Sequence, residues 1–435
     1  MSIRVLVTLL MAVAAVAVGG APAAAHGPVP GGDTVLAQTI AGMEVTLAVR
    51  RVGEVPGPLR VDLIPHTPVR ALPIEVTVRS GTSAGATAGS FLFERDVART
   101  YPLMLAVRDQ GPHWLELRAG GEFSQLPFRV QVPRAPSDLW VSGAFGAAAL
   151  LLFGAFGVAA AGSRAIAVVL GGGAGVALVV AGTLAMVSPA LPGAETVPAG
   201  TGPAGRPYAQ AWIYSMPARP AAGKDFTLRI VLVDGSTGRP LDDLVPHHQA
   251  LAHVVVTSAD GAIFRHVHPR RMAPGKLEVR LATPEPGPYV VNVEFERDSA
   301  GSQLVSGRFE VAGPGPVTSS VGRVVLPTTP REVFATRPVS IRIDSGPGRV
   351  QPWLGMAGHL IVRDSRGGFL GHAHELGSMD TDVAPPDDTV PAYDPTLRFA
   401  FTFPEPGRYF VWVQYARELR ITTLPHVVDV RAGTA

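Results

Sequence analysis

ALAHVVVTSADGAIFRHVHP, residues 250–269, and GMAGHLIVRDSRGGFLGHAHE, residues 355–375, are two versions of one pattern. In each, twelve residues separate a first histidine, His253 or His359, from a His-x-His pair, His266/His268 or His372/His374. Farther on, PEPGPYVVNVEF at 284–295 matches PEPGRYFVWVQY at 404–415. Two copies are too few for a solenoid, so the chain carries tandem domains. Asp260-Gly261 is a favourable two-residue turn between strand-like Val254–Thr257 and Ile263–Val267. That turn sets His253 opposite His268, with His266 on the same face because strand side chains alternate with a period of two. A turn at Arg366-Gly367 likewise sets His359 opposite His374, with His372 beside them. Val254, Val256, Val267, Leu360 and Val362 point the other way and anchor each hairpin to a core.

Cross-strand neighbours stand about 5 Å apart at Cβ, so three imidazoles can converge on each hairpin. Three neutral imidazoles on a stiff sheet suit Cu(II), Zn(II) or Ni(II), with a water or a fourth side chain completing the site; copper and zinc are the cofactor candidates. His247 or His248 is a candidate fourth ligand in the first copy. Glu375, Met356 or Met379 is one in the second, where Met favours Cu(I). Hard Mg or Ca would want oxygen ligands instead. The competing reading makes the histidines hydrogen-bonded surface or interface groups. His26 would chelate through its amine and imidazole if the mature chain began there, with His66 or His113 completing the set. His113 shares a strand face with Leu115 and Leu117 and also reads as a core residue. His426 has no counterpart in the first copy and reads as structural.

Between the N-terminal region and the repeats, Leu139 to Val187 is apolar except for hydroxyls and Arg164. It divides into Leu139–Ala161 and Ala165–Val187, each longer than the roughly 20 residues needed to cross a bilayer core, so a transmembrane helical hairpin is expected. Small residues Gly171, Gly172, Gly173 and Gly175 favour close helix packing, and Trp140 suits a membrane interface. Neither span holds Asp, Glu or His, which argues against a proton or ion pathway. At the N-terminus, Arg4, the apolar run Val5–Val18 and the Ala23/Ala25 pair form a secretory signal with cleavage expected before His26. All large domains are then expected on the extracytoplasmic side of the cytoplasmic membrane, with Arg164 favouring an inward-facing turn.

Composition fits exported sheet domains. Gly 49 and Pro 41 punctuate 435 residues, the net charge is only +2, and Cys is absent. No disulfide, thiolate metal site or thiol nucleophile is therefore available, blue-copper ligation included. No basic face interleaved with aromatics invites nucleic acid. Strand patterns at 43–49, 61–63, 74–79, 101–108, 113–118 and 128–132 predict a small N-terminal sandwich. The expected fold class is mainly β: three immunoglobulin-like sandwiches plus the two-helix hairpin. Its domains are a signal at 1–25, a sandwich at 26–134, the hairpin at 139–187, a linker at 188–207, and repeats at 208–313 and 320–433.

HVVVTSADGAIFRHVHP and PWLGMAGHLIVRDSRGGFLGHAHE, each followed by PEPGxY and a strand, resemble the His-containing immunoglobulin-like modules of bacterial exported proteins of the YtkA-like kind. The resemblance covers about 205–433. It implies that His253 and His359 stand for the family's strand histidine, and that His266/His268 and His372/His374 stand for its pair. Such modules often occur beside copper or heavy-metal handling genes. The usual proline after the pair is Pro269 in the first copy but Glu375 in the second, so the sites differ. A start at His26 is more weakly similar to CopC-like periplasmic copper carriers. The expected function is a membrane-tethered metal-binding protein handling or sensing copper, not an enzyme. Phosphate loops, HExxH, dinucleotide fingerprints and Ser-His-Asp order are all missing. The alternative is an assembly module whose hairpin docks onto a membrane protein partner without metal.

Overall fold

The computed structural model describes residues 33–50, 52–81, 85–132, 137–187, 208–298, 300–314, 324–379 and 387–433. The expected signal, His26 and the linker at 188–207 lie outside the described residues.

The N-terminal domain is a sandwich of two four-stranded antiparallel sheets. One runs Thr34–Ile40, Met43–Val49, Gly57–Pro65, Tyr101–Val107; the other runs Ala86–Phe93, Leu72–Ser80, Gly111–Ala119, Glu122–Val130. Their inward rows, including Val45, Leu47, Val61, Ile74, Val76 and Leu117, form one core. His113, Leu115 and Leu117 are all buried, as their alternation requires. Two strands were not evident from sequence pattern. Thr34–Ile40 follows a Gly/Pro-rich stretch, yet it pairs along its whole length with Met43–Val49. The turn between them, Ala41-Gly42, has positive φ at both residues (52° and 70°), the geometry that matches right-handed strand twist. Ala86–Phe93 is built largely from small residues and shows little apolar alternation.

Helices α1 (Ser137–Ala160) and α2 (Arg164–Val187) follow, with Gly162 at φ 89° in the connection. Both are long and apolar enough to cross a membrane. Leu150 and Val168 are 75% and 74% exposed, which rules against core helices of a folded domain. Glycine brings the pair together at two places. A Cβ on Gly173 would lie 3.5 Å from Leu151, and one on Gly154 would lie 3.5 Å from Leu170. Gly171, Gly172 and Gly175 face open space instead.

Each repeat is again a two-sheet sandwich. In the first, Ala209–Met216, Asp225–Asp234, Lys276–Ala282 and Arg270–Ala273 face a sheet containing Gly301–Val311, Gly287–Arg297, His253–Ser258 and Phe264–Val267. In the second, Thr328–Thr329, Pro338–Asp344 and Thr396–Thr402 face a sheet containing Arg420–Arg431, Gly407–Arg417, His359–Asp364 and Leu370–His374. Val254, Val256, Leu360 and Val362 enter the two cores, as expected.

The histidine-bearing sheets of the two repeats pack against each other. Both His253–Ser258 and His359–Asp364 are buried at every residue, because their own cores cover one face and the other repeat covers the second. Val255 and Ile361, at corresponding positions, meet Phe410 and Trp412 in a shared apolar cluster. The contacts are reciprocal. The turn glycine Gly261 abuts Phe410 of the second repeat, while its counterpart Gly367 abuts Val290 of the first. Buried Arg363 donates to Thr257, its own counterpart, at 2.8 Å and to the Ser258 carbonyl at 3.1 Å. This is the self-complementary pattern of a twofold interface, built here within one chain.

The N-terminal domain rests on both repeats. The Ala37 and Thr39 amides donate to the Gln249 and His268 carbonyls at 2.6 and 2.7 Å. Glu122 pairs with Arg270 at 3.0 Å. On the other repeat, Arg50 pairs with Asp387 at 2.6 Å, and the Thr67 amide donates to the Leu419 carbonyl at 2.8 Å.

Candidate metal centre

The hairpin registers are those predicted. Val254 pairs with Val267 and Val255 with His266, which continues to His253 opposite His268. His359 pairs with His374 and Ile361 with His372. The turns are longer than two residues: the Ser258 amide donates to the Ile263 carbonyl at 3.1 Å, and the Asp364 amide to the Phe369 carbonyl at 3.3 Å. Each loop stays centred on the same point, so its lengthening left the register unchanged.

Two groups of three histidines can hold a metal ion among the described residues: His253, His266, His268 and His359, His372, His374. In each group, one nitrogen from every ring lies within 4.8 Å of the others. His253 Nδ1 is 3.2 Å from His266 Nε2 and 3.1 Å from His268 Nε2. His359 Nδ1 is 3.1 Å from His372 Nε2. Two nitrogens at that spacing subtend about 100° at a cation held at about 2.0–2.1 Å, close to tetrahedral ligation.

The remaining nitrogens fix the tautomers. His253 Nε2–H donates to the His247 carbonyl at 2.9 Å, and His359 Nε2–H to the Trp353 carbonyl at 3.0 Å. His266 Nδ1–H donates to Gln414 Oε1 at 2.8 Å, and Gln414 Nε2 donates to Thr423 at 2.9 Å, which holds the amide oxygen toward the imidazole. His268 Nδ1–H donates to Glu44 of the N-terminal domain. Glu44 is itself steadied by Thr39, which donates to it at 2.8 Å and accepts the His268 amide at 3.0 Å. His372 Nδ1 faces Glu294 at 2.8 Å. When all three rings of the first triad are neutral, every outward proton is thus committed to an acceptor, and three lone pairs point at one another. That arrangement repels itself unless a cation sits among the lone pairs, and acceptors behind ligating imidazoles are the usual support of a metal site.

Burial favours the neutral form of five of the six rings. It holds His253, His266 and His372 well below the usual imidazole pKa, neighbouring histidines adding to the effect, and pushes His359 down to about 4. His374 is lowered too, first by burial. Burial also pushes the Glu294 carboxyl up to about 7. A cation on His372 would favour its ionised form.

The candidate fourth ligands are placed differently from the sequence expectation. His248, at φ 45° in a tight turn, belongs to the first repeat yet sets its ring centroid 3.8 Å from that of His374 of the second, the planes tilted by 45°. His247 turns to Glu296 at 2.7 Å. Glu375 faces away from the histidines toward Arg398, whose amide it accepts at 3.3 Å. Met356 closes a backbone pair with Trp353, its sulfur 3.7 Å from Ser378, and Met379 is exposed. His66 joins neither triad. It is buried against Thr46 at 3.1 Å, with its pKa lowered to about 4 by that burial. His113 contacts the Gly111 carbonyl at 3.1 Å, and His426 is buried in the second repeat.

Glu44, Glu294 and Gln414 escaped sequence reading. Glu294 and Gln414 occupy matching positions of the PEPGxY repeat, which was the available signal. Glu44 lies 224 positions from His268 and had none.

Residues 212–311 and 327–432 each match a family described as a domain of unknown function (DUF8832), so the duplication is one of a recognised unit. The family match itself names neither YtkA-like nor CopC-like modules. No curated protein matches the chain. Among solved structures, the chain is similar to red sea bream transglutaminase at 10% identity, covering 52% of this chain and 31% of that one, TM-score 0.17. It is similar to the chicken CNTN1 FN1–FN3 domains at 7% identity, covering 88% and 97%, TM-score 0.17. It is similar to invasin, a bacterial integrin-binding protein, at 10% identity, covering 89% and 60%, TM-score 0.16. The chain thus spans less than two thirds of the transglutaminase and of invasin.

Proposed function

We propose that this chain is a membrane-tethered, extracytoplasmic metal-binding protein that handles or senses copper through the two histidine triads, with zinc as the alternative metal. The observation that carries the reading is the convergence of three imidazole nitrogens in the first triad, each ring held from behind by an acceptor. Imidazole-only donors suit copper or zinc and give Mg or Ca no oxygen cage. The resemblance to modules near copper-handling genes points the same way, and the apolar helices supply the tether. The role is binding rather than catalysis. Docking of the helices on a membrane protein partner is compatible with it.

The test is metal stoichiometry on the full chain in detergent, because Glu44 lies outside the repeats. Copper and zinc are titrated separately, with elemental analysis of the retained metal. Two tight copper equivalents are expected, falling to one in the His266→Ala/His268→Ala double variant. Absence of specific binding would leave the assembly module as the better account.

A further inference from the structure

Taking the proposed metal binding as its premise, we infer that the two triads are not independent sites but one binuclear centre at the interface between the repeats. The first observation is spacing. Within the first triad, ring centroids lie 4.8 to 5.4 Å apart. Across the triads, His253 lies 5.1 Å from His372, and His266 lies 5.7 Å from His372 and 6.4 Å from His359. The nearest rings of the two triads are therefore scarcely farther apart than the rings inside one.

The second observation is the exchange of supporting groups. Gln414, which orients His266 of the first repeat, belongs to the second. Glu294, which faces His372 of the second repeat, belongs to the first. His248 crosses in the same sense to lie against His374. Neither triad is complete until the repeats have docked, and docking completes both together. The third observation is charge. Two cations this close repel, and one carboxylate stands behind each triad, Glu44 at the first and Glu294 at the second. Filling one triad clamps the interface that shapes the other, so the second ion binds a site already ordered by the first.

Copper(II) serves as the probe whatever metal the protein carries in the cell. The full chain in detergent is loaded with one and then two equivalents, and electron paramagnetic resonance spectra are recorded with total copper measured in parallel. A coupled pair gives, at two equivalents, a broadened signal below twice the single-site intensity, with a half-field line. It also shows coupling at one equivalent, since cooperative filling places ions in pairs. Two equivalents that yield twice an unbroadened single-site spectrum overturn the binuclear centre and leave two-site metal binding standing. If no copper is retained, both readings fall.

Discussion

The two triads share their ligands but not their surroundings. His253, His266 and His268 are each held from behind by an acceptor, and one of those acceptors, Glu44, comes from a domain outside the duplication. In the second triad His359 and His372 have such partners, whereas among the described residues no carboxylate takes the place of Glu44 behind His374, whose ring meets that of His248. Duplication copies a ligand set along with its strand register. It does not copy what later packs against it, so nominally equal sites acquire different affinities.

Removing Glu44 should give the largest effect. Glu44→Ala is expected to weaken copper binding at the first triad by about 10–100-fold, the usual consequence of deleting a partner behind a ligating imidazole, and to weaken the second less, through the coupling between them alone. Competition against a chromophoric chelator reads both affinities, and an equal loss at both would erase the asymmetry.

Acid probes what the triads have in common. His253, His266, His359, His372 and His374 all have lowered pKa values in the folded state, His359 at about 4. The unfolded chain takes up these protons below about 6.5, where the native chain does not, so the metal-free protein should lose stability as pH falls from about 6.5 towards 4. The raised pKa values of Glu294 and Asp388, both about 7, act in the opposite direction but are two groups against seven, His66 and His426 being lowered as well. Thermal unfolding across that range checks the sign, and a midpoint that rises with acidity would contradict it. The depressed values also mean that proton competition for metal begins at lower pH than exposed imidazoles would show.

The smallest expected effect comes from making the triads more alike. Gln414→Glu gives His266 the carboxylate that His372 already has and should tighten the first site by less than about tenfold. An unchanged affinity there would mean that the neutral amide already orients the ring as well as a charge does.

How much of this was legible in sequence differed by scale. The registers were, because the turn positions and the alternation of Val254, Val256, Leu360 and Val362 fix which face the histidines share. The burial of that face is less legible, its signal being Val255, Ile361 and Trp412: apolar residues beside the histidines on an outward face are what a second sheet covers. Glu44 and His248 were beyond local pattern, since both act on rings in another domain or repeat and no spacing rule links them. Glu375 and Met356 were plausible by proximity in sequence, but a residue next to His374 in a strand points to the opposite face.

The contact between Glu44 and His268 also constrains the path of the chain. The residues ending at Val132 touch those beginning at Tyr208, and no polypeptide can make such contacts across a bilayer. Whatever number of crossings the intervening segment makes, its parity is even: α1 and α2 enter together or not at all.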